Sequence, residues 1–195
     1  MVSLIIPAAG RSSRYPGVKP KWMLTHPSGC LMINAAISGL DMTKVSKIYV
    51  TVLKEHLDTF DCEAGIRQSF LDHGHEVQLV VLDKETNSQP ETVFETIKRE
   101  NIKGPIFIKD SDNYFSHKIT PGNYVTVADV NNSNITKAGN KSYVTFNEMG
   151  LVSDIVEKKI ISSYFCTGGY SFEDARLFCN TFESLMNDKN LFVSH

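Results

Sequence analysis

Basic side chains are concentrated near the start of the chain, in a segment that contains no acidic residue. Residues 4–24 read LIIPAAGRSSRYPGVKPKWML, and their basic members are Arg11, Arg14, Lys19 and Lys21. No Asp or Glu occurs before Asp41, although the whole chain has a net charge of −2. Guanidinium and ammonium groups are common partners of phosphate oxygens. The segment therefore favours a small anionic ligand, with a solvated basic surface turn as the alternative.

An acidic pair follows a short apolar run in the middle of the chain. The apolar run is residues 105–108 (PIFI), and it is followed by Lys109 and then by Asp110 and Asp112. Two carboxylates at this spacing suit a hard divalent ion such as Mg²⁺, which also binds substrate phosphates. An isolated Asp-x-Asp is more often a solvated turn or a helix cap. A basic loop and an acidic pair at one sheet edge fit a nucleoside triphosphate with Mg²⁺ better than either alternative does alone.

The elements that must bring these loops together alternate between strand-like and helix-like patterns. The predicted strands are residues 2–6, 47–53, 77–82, 105–108, 124–129, 142–147 and 151–157, and the predicted helices are residues 31–40, 56–73, 90–100 and 172–186. Alternation in the first half implies an α/β domain with a largely parallel sheet. Ligands of such sheets bind beyond the carboxyl ends of the strands. This rule selects three loops, at residues 7–21, 83–90 and 109–115.

The composition predicts one globular domain over residues 1–195. The apolar fraction of 42% and the charged fraction of 22% are ordinary, and the pI of about 6.3 argues against nucleic acid or an anionic membrane as a partner. The four cysteines show no CxxC pair, and no stretch approaches the roughly 18 apolar residues of a membrane span. We expect a cytoplasmic protein with reduced thiols, and the sequence leaves its oligomeric state open.

Residues 4–24 resemble the opening signature of the nucleotidyltransferases, the family that includes sugar-1-phosphate nucleotidyltransferases and phosphocholine cytidylyltransferases. The matching elements are Ala8-Ala9-Gly10, Arg14, Pro20-Lys21 and Met23-Leu24. Four later segments resemble further family motifs in order: a base-recognition loop, a metal-binding strand end, a Glu-Lys pair beside the acceptor and a Gly-x-Tyr-x-Phe stretch. They are residues 88–92, 110–115, 156–158 and 168–172. The resemblance implies a single-domain, Rossmann-like (GT-A-like) α/β fold, with a mixed, mostly parallel central sheet flanked by helices.

The resemblance also implies an activity, which is transfer of a nucleoside monophosphate from a triphosphate to a small phosphorylated acceptor, with release of pyrophosphate. The implied catalytic residues are Arg14 and Lys21. Arg14 would bind the β- and γ-phosphates, and Lys21 would contact both the α-phosphate and the attacking phosphate. The implied nucleotide-binding residues are Pro7, Ala8, Ala9, Gly10, Arg11, Ser12, Ser13, Gln89 and Asp110. Gln89 would read the base edge.

The implied cofactor is Mg²⁺, held by Asp112 with Asp110 as a second ligand or a ribose contact. Glu157, Lys158 and Gly168 are implied to bind the acceptor. The Ala-Ala-Gly sequence and the short length of the chain resemble the small cytidylyltransferases. The Lys-Pro-Lys-Trp-Met-Leu sequence resembles a capsule-associated branch of the family, in which one known activity is CTP:phosphoglutamine cytidylyltransfer. CTP is therefore the favoured nucleotide.

The chain departs from the family pattern in one place, since no Asp-Trp-Gly-like segment with a second metal-binding Asp precedes its last residues, LFVSH. Three explanations stay open: the chain is a piece of a longer protein, Asp129 or Asp154 supplies the carboxylate, or the protein binds nucleotide without efficient turnover. Two other functions also stay open. They are a GT-A-type glycosyltransferase that uses a sugar nucleotide and a non-catalytic nucleotide-binding protein.

Overall fold

Strands and helices alternate along the first half of the chain, as the hydrophobic pattern predicts. The computed structural model describes residues 1–10, 18–133 and 138–187. Its strands are β1 (Val2–Pro7), β2 (Leu40–Asp41), β3 (Val45–Leu53), β4 (Val77–Leu82), β5 (Ile106–Lys109), β6 (His117–Lys118), β7 (Tyr124–Asp129), β8 (Ser142–Phe146), β9 (Val152–Glu157) and β10 (Tyr164–Phe172). Its α-helices are α1 (Met32–Ile37), α2 (Lys54–Phe60), α3 (Glu63–Leu71), α4 (Gln89–Glu100) and α5 (Ala175–Asn187).

One large sheet organises the described chain, in the order β4-β3-β1-β5-β10-β8-β9, with β7 also paired to β10. The four strands from β4 to β5 are parallel, and β10 begins the antiparallel part. Strands β2 and β6 form a separate parallel pair. Helices flank the mixed sheet, which confirms the expected Rossmann-like α/β fold.

The core has two layers because successive residues of a strand face opposite sides of the sheet. Leu4 and Ile6 of β1 pack with Ile33 of α1 and Phe70 of α3 on one face. Ile5 packs on the other face, in the cluster formed by α4, α5 and β5. Strand β1 is buried on both faces and lies between β3 and β5, so the loop after it emerges within the carboxyl edge of the parallel strands.

Three of the predicted elements need correction. The helix predicted over 56–73 is two helices, because Asp61 adopts a left-handed conformation (φ 45°) after α2. The helix predicted over 31–40 ends at Ile37, and the helix predicted from residue 172 begins at Ala175. Phe172 instead ends β10, a strand that the sequence pattern did not predict.

The described ranges contain no helix with the length and apolar character needed to cross a membrane.

Candidate active site

Three loops meet at the carboxyl edge of the parallel strands and enclose a cleft of about 450 Å³. They are the loop after β1, the segment that leads into α4, and the turn after β5. The cleft is lined by Pro7, Ala8, Ala9, Gly10, Lys21, Trp22, Thr86, Ser88, Gln89, Thr92, Asp110, Ser111 and Asp112. These are the three loops that the sheet-edge rule selects, so the sequence correctly locates the cleft.

Small residues form the floor of the cleft directly after β1. The amide of Ala8 donates to the carbonyl of Thr51 on β3 (2.8 Å), which ties this loop to the neighbouring strand. Ala8 and Ala9 are buried, and their short side chains leave the backbone close to any ligand in the cleft. Arg11, Ser12, Ser13 and Arg14 lie outside the described residues.

Lys21 is held at the rim of the cleft by a single turn of 3₁₀ helix, Lys21–Met23. Trp22 and Met23 are buried and anchor the turn, whereas the Lys21 side chain is half-exposed. Its ammonium Nζ lies 3.2 Å from Oδ2 of Asp112. The structure thus brings the predicted phosphate-binding cation into direct contact with the predicted metal ligand. Because both groups are half-exposed, this ion pair contributes little to stability and can be exchanged for a ligand.

Asp110 is the more enclosed carboxylate of the acidic pair. Its Oδ1 accepts from Nε2 of Gln89 (2.6 Å) and its Oδ2 accepts from Nδ2 of Asn113 (3.3 Å). Burial raises the pKa of Asp110, and the hydrogen bond from Gln89 opposes that rise. Both carboxylate oxygens of Asp110 therefore accept hydrogen bonds from the protein, whereas the side chain of Asp112 is half-exposed where it lines the cleft.

The segment leading into α4 is organised by hydrogen bonds around the helix start. Ser88 caps the helix, since its hydroxyl accepts from the amide of Glu91 (3.3 Å), and Pro90 stands in the first turn. The hydroxyls of Thr86 and Thr92 are 2.6 Å apart. These contacts hold polar side chains against the cleft at the positive end of the helix dipole.

Lys109 is a site feature that sequence reasoning missed. Its side chain is fully buried under the acidic turn, and its ammonium donates to the carbonyl of Asp110 and to two oxygens of Asn113. Burial lowers the pKa of Lys109 to about 8, while the charges of Asp110 and Asp112 act in the opposite direction. The only sequence signal is a lysine directly between a strand and its acidic pair. Trp22, Thr86, Ser88, Thr92 and Ser111 also line the cleft. The last four lie in segments that the sequence analysis selected, but no site role was predicted for any of the five.

The predicted acceptor residues divide into two groups. Gly168 on β10 contacts the acidic turn directly, because its carbonyl accepts from the amide of Asp110 (2.9 Å). Glu157 and Lys158 lie at the end of β9, paired with each other at 2.7 Å, and are not among the residues that line the cleft. Burial, then the charge of Asp110, raises the pKa of Tyr170, and the charge of Glu157 adds to the rise. Glu157 is thus close enough to Tyr170 to affect its pKa, although neither residue is among those that line the cleft.

The residues considered for a second metal carboxylate, Asp129 and Asp154, are not among those that line the cleft. Asp129 ends β7, where it accepts from the amide of Asn131 (2.9 Å), and Asp154 lies on β9. Within residues 1–10, 18–133 and 138–187, no three His, Cys, Asp or Glu side chains are grouped to hold a metal ion. In the described chain, Asp110 and Asp112 are therefore the available acidic donors of the cleft.

Comparison with known proteins shows a shared fold. No family model matches the sequence, and no curated protein does so. The fold is similar to a nucleoside-diphosphate-sugar pyrophosphorylase from Vibrio cholerae RC9 (TM-score 0.75, 20% identity, 96% of this chain and 80% of that one). It is also similar to an inositol-1-phosphate CTP transferase from T. maritima (TM-score 0.69, 19% identity, 98% of this chain and 76% of that one). The chain therefore has the same fold as these two nucleotidyltransferases over nearly its whole described length.

Proposed function

We propose that the chain is a nucleotidyltransferase that transfers a nucleoside monophosphate, CMP from CTP being favoured, to a small phosphorylated acceptor. Pyrophosphate is released, and the product is an activated precursor for capsule or surface-glycan synthesis. The observation that carries the proposal is the contact between Lys21 and Asp112 beside Asp110, in a cleft at the carboxyl edge of the sheet. The fold shared with solved nucleotidyltransferases supports it.

The proposed reaction is an in-line displacement at phosphorus. A phosphate oxygen of the acceptor attacks the α-phosphorus, the bond from that phosphorus to the α–β bridging oxygen breaks, and pyrophosphate leaves with the electron pair. The protein has to hold two anions that repel each other and to stabilise the charge of the transition state. Lys21 supplies a cation at the rim of the cleft for the α-phosphate and the attacking phosphate. Arg14 is proposed to bind the β- and γ-phosphates.

The acidic pair fits a magnesium ion. Mg²⁺ in proteins is bound through one or two carboxylates together with substrate phosphates, and it keeps several waters. Asp112 would hold the ion, and Asp110, whose oxygens already accept hydrogen bonds, would be the second ligand or a ribose contact. A bound ion would reduce the negative charge of the triphosphate.

The contact between Gln89 and Asp110 suggests a test of the proposed preference for CTP over UTP. An ionised carboxylate can only accept hydrogen bonds, so the Gln89 side chain must present its NH₂ group to Asp110. Asp110 uses one of the two N–H donors of Nε2, so Gln89 keeps its carbonyl Oε1 as an acceptor and one N–H as a donor for a base. A carbonyl oxygen accepts from the exocyclic amino group of cytosine and meets another acceptor at the matching carbonyl of uracil. We expect Gln89→Leu to reduce the CTP-to-UTP ratio of kcat/KM by about 3- to 10-fold.

A pyrophosphate-release screen with Mg²⁺ tests the proposal. It crosses CTP, UTP, GTP, ATP and dTTP with phosphocholine, phosphoglutamine and several sugar 1-phosphates. Release with one pair identifies the reaction class and both substrates. Release of a nucleoside diphosphate from a sugar nucleotide, without any pyrophosphate, would identify a glycosyltransferase instead. Saturable CTP binding with no product for any pair would favour a non-catalytic nucleotide-binding protein.

A further inference from the structure

A buried ammonium group lies directly beneath the acidic turn after β5. The side chain of Lys109 has no exposed surface, so it cannot touch a ligand in the cleft. Burying a charged group is costly unless its hydrogen-bonding capacity is satisfied. An ammonium has three N–H donors, and Lys109 has three acceptors within hydrogen-bond distance. They are the carbonyl of Asp110 (2.8 Å), the carbonyl of Asn113 (2.7 Å) and Oδ1 of Asn113 (2.5 Å).

These acceptors stand at the two ends of one short turn, residues 110–113. The ammonium therefore links the start of the turn to its end, and Asp112 is carried between the two attachment points. Asn113 closes the same turn from its own side, since its Nδ2 donates to Oδ2 of Asp110 (3.3 Å). The conformation of the Asp112 backbone thus depends on contacts made to both of its flanks.

The surroundings of the turn leave little room for an alternative arrangement. The ring of Phe115 lies 4.7 Å from the Lys109 ammonium, in a cation–π contact. On the side of β10, a Cβ on Gly168 would overlap the Asp110 carboxylate and the Asn113 amide. A positive charge at this place also offsets the repulsion between the carboxylates of Asp110 and Asp112, both of which act on Lys109.

We propose that Lys109 is a positioning residue that holds the 110–113 turn in the conformation in which Asp112 receives a divalent cation. This inference rests on the proposed function, since it takes Asp112 to be a metal ligand. Replacing the ammonium with an apolar group leaves three buried acceptors without their donor and removes the cation between two carboxylates. The turn then rearranges, and the carboxylate of Asp112 spends less time in the geometry that binds the ion.

Titration of the full chain with Mn²⁺, followed by electron paramagnetic resonance, tests this role without requiring turnover. The variant is Lys109→Met, which keeps an unbranched side chain only one atom shorter and removes the charge and the donors. We expect its Mn²⁺ affinity to be about 10- to 100-fold weaker than that of the wild type, with and without CTP. Lys103→Met is the matched control, because Lys103 is an exposed lysine just before the same strand, and its affinity should be unchanged.

A purely structural role for Lys109 gives a different result. In that case Lys109→Met lowers the melting temperature but binds Mn²⁺ with wild-type affinity well below that temperature, which overturns the proposal. If Lys109→Met does not fold, Asn113→Ala removes one acceptor of the ammonium and should weaken Mn²⁺ binding in the same direction by a smaller factor. An unchanged affinity in a folded Asn113→Ala chain also overturns it.

The outcome is separable from that of the pyrophosphate screen. Loss of Mn²⁺ affinity in Lys109→Met supports the positioning role even when no substrate pair in the screen releases pyrophosphate. A wild-type chain that binds no Mn²⁺, with or without CTP, overturns the positioning role even when the screen finds an active pair.

Discussion

Lys21 and Asp112 are in contact where they line the cleft, with 3.2 Å between Nζ and Oδ2, and both side chains are half-exposed. The Lys21 ammonium lies beside the carboxylate that we propose as the metal ligand. Without a phosphate for Lys21 to bind, the ammonium and the proposed metal ion would compete for Asp112. We expect Lys21→Met to reduce kcat by at least about 100-fold, because a cation that stabilises the transition state is lost. Mn²⁺ affinity measured without nucleotide should stay the same or increase.

Lys44→Met is a control for this prediction, because Lys44 is an exposed lysine far from the cleft lining. It should retain wild-type kcat. Near-normal kcat in Lys21→Met would remove Lys21 from the catalytic role.

Asp112 differs from Asp110 in having an open side, and this difference predicts a selective effect. We expect Asp112→Asn to reduce Mg²⁺-dependent turnover by orders of magnitude, because the amide is a much weaker ligand for a hard cation than the carboxylate. CTP binding measured by calorimetry without metal should change much less, since Asp112 carries a charge of the same sign as the triphosphate. Equal losses of turnover and of metal-free CTP binding would argue that Asp112 does not act through the metal.

At the scale of elements, β10 determines how closely the acidic turn approaches the sheet. Gly168 has a φ of +88°, and a Cβ there would overlap Asp110 and Asn113. The left-handed backbone and the steric overlap both disfavour a side chain at this position. Gly168→Ala should therefore destabilise the fold by about 1–3 kcal/mol and reduce turnover. Chemical denaturation and the pyrophosphate assay measure the two effects.

Gly65→Ala is the matched control for that substitution. Gly65 lies in α3, and a Cβ there would meet nothing within 4 Å. Alanine in a helix interior is favoured over glycine by roughly 0.5–1 kcal/mol, so this variant should be as stable as the wild type or more so. If Gly168→Ala behaved like Gly65→Ala, the close approach of β10 to the turn would be unimportant.

The elements that the sequence predicts well are those with a clear period or a clear boundary. The strand Val77–Leu82 is predicted to the residue, and α4 is predicted from Pro90 within one residue of its start. The strand β10 was missed because Gly168 and Gly169 are typical of turns, and only tertiary contacts explain them here. The break between α2 and α3 depends on the left-handed conformation of Asp61, which no apolar period records.

The candidate site also has features that the sequence predicts and features that depend on tertiary contacts. The cleft could be located in advance because the carboxyl ends of parallel strands meet at one edge, a rule that needs only the order of the elements. Lys109 could not be found in this way, since a lysine at a strand end is normally expected to be solvent-exposed. Its burial results from Phe115 and Asn113 folding back over it, and those contacts depend on the three-dimensional turn.

At the scale of the whole molecule, the cleft joins segments that are far apart in the chain. Residues 7–10, 86–92 and 110–112 meet because they follow β1, β4 and β5, whose carboxyl ends lie at one edge of the parallel part of the sheet. A ligand that bridges them therefore stabilises the native arrangement against unfolding. At about 100 times its Kd, a ligand that binds only the folded state contributes roughly 2.7 kcal/mol.

For a chain of this size, that contribution corresponds to a rise in melting temperature of about 5–10 °C. We expect CTP with Mg²⁺ at that saturation to produce such a rise in differential scanning calorimetry. Cytidine should produce a much smaller one at equal concentration, because it lacks the phosphates that Lys21 and the metal ligands would hold. The difference between CTP and cytidine should shrink at high salt, since the phosphate contacts are electrostatic and partly exposed. Equal stabilisation by CTP and cytidine would mean that the cleft binds the base and does not engage the triphosphate.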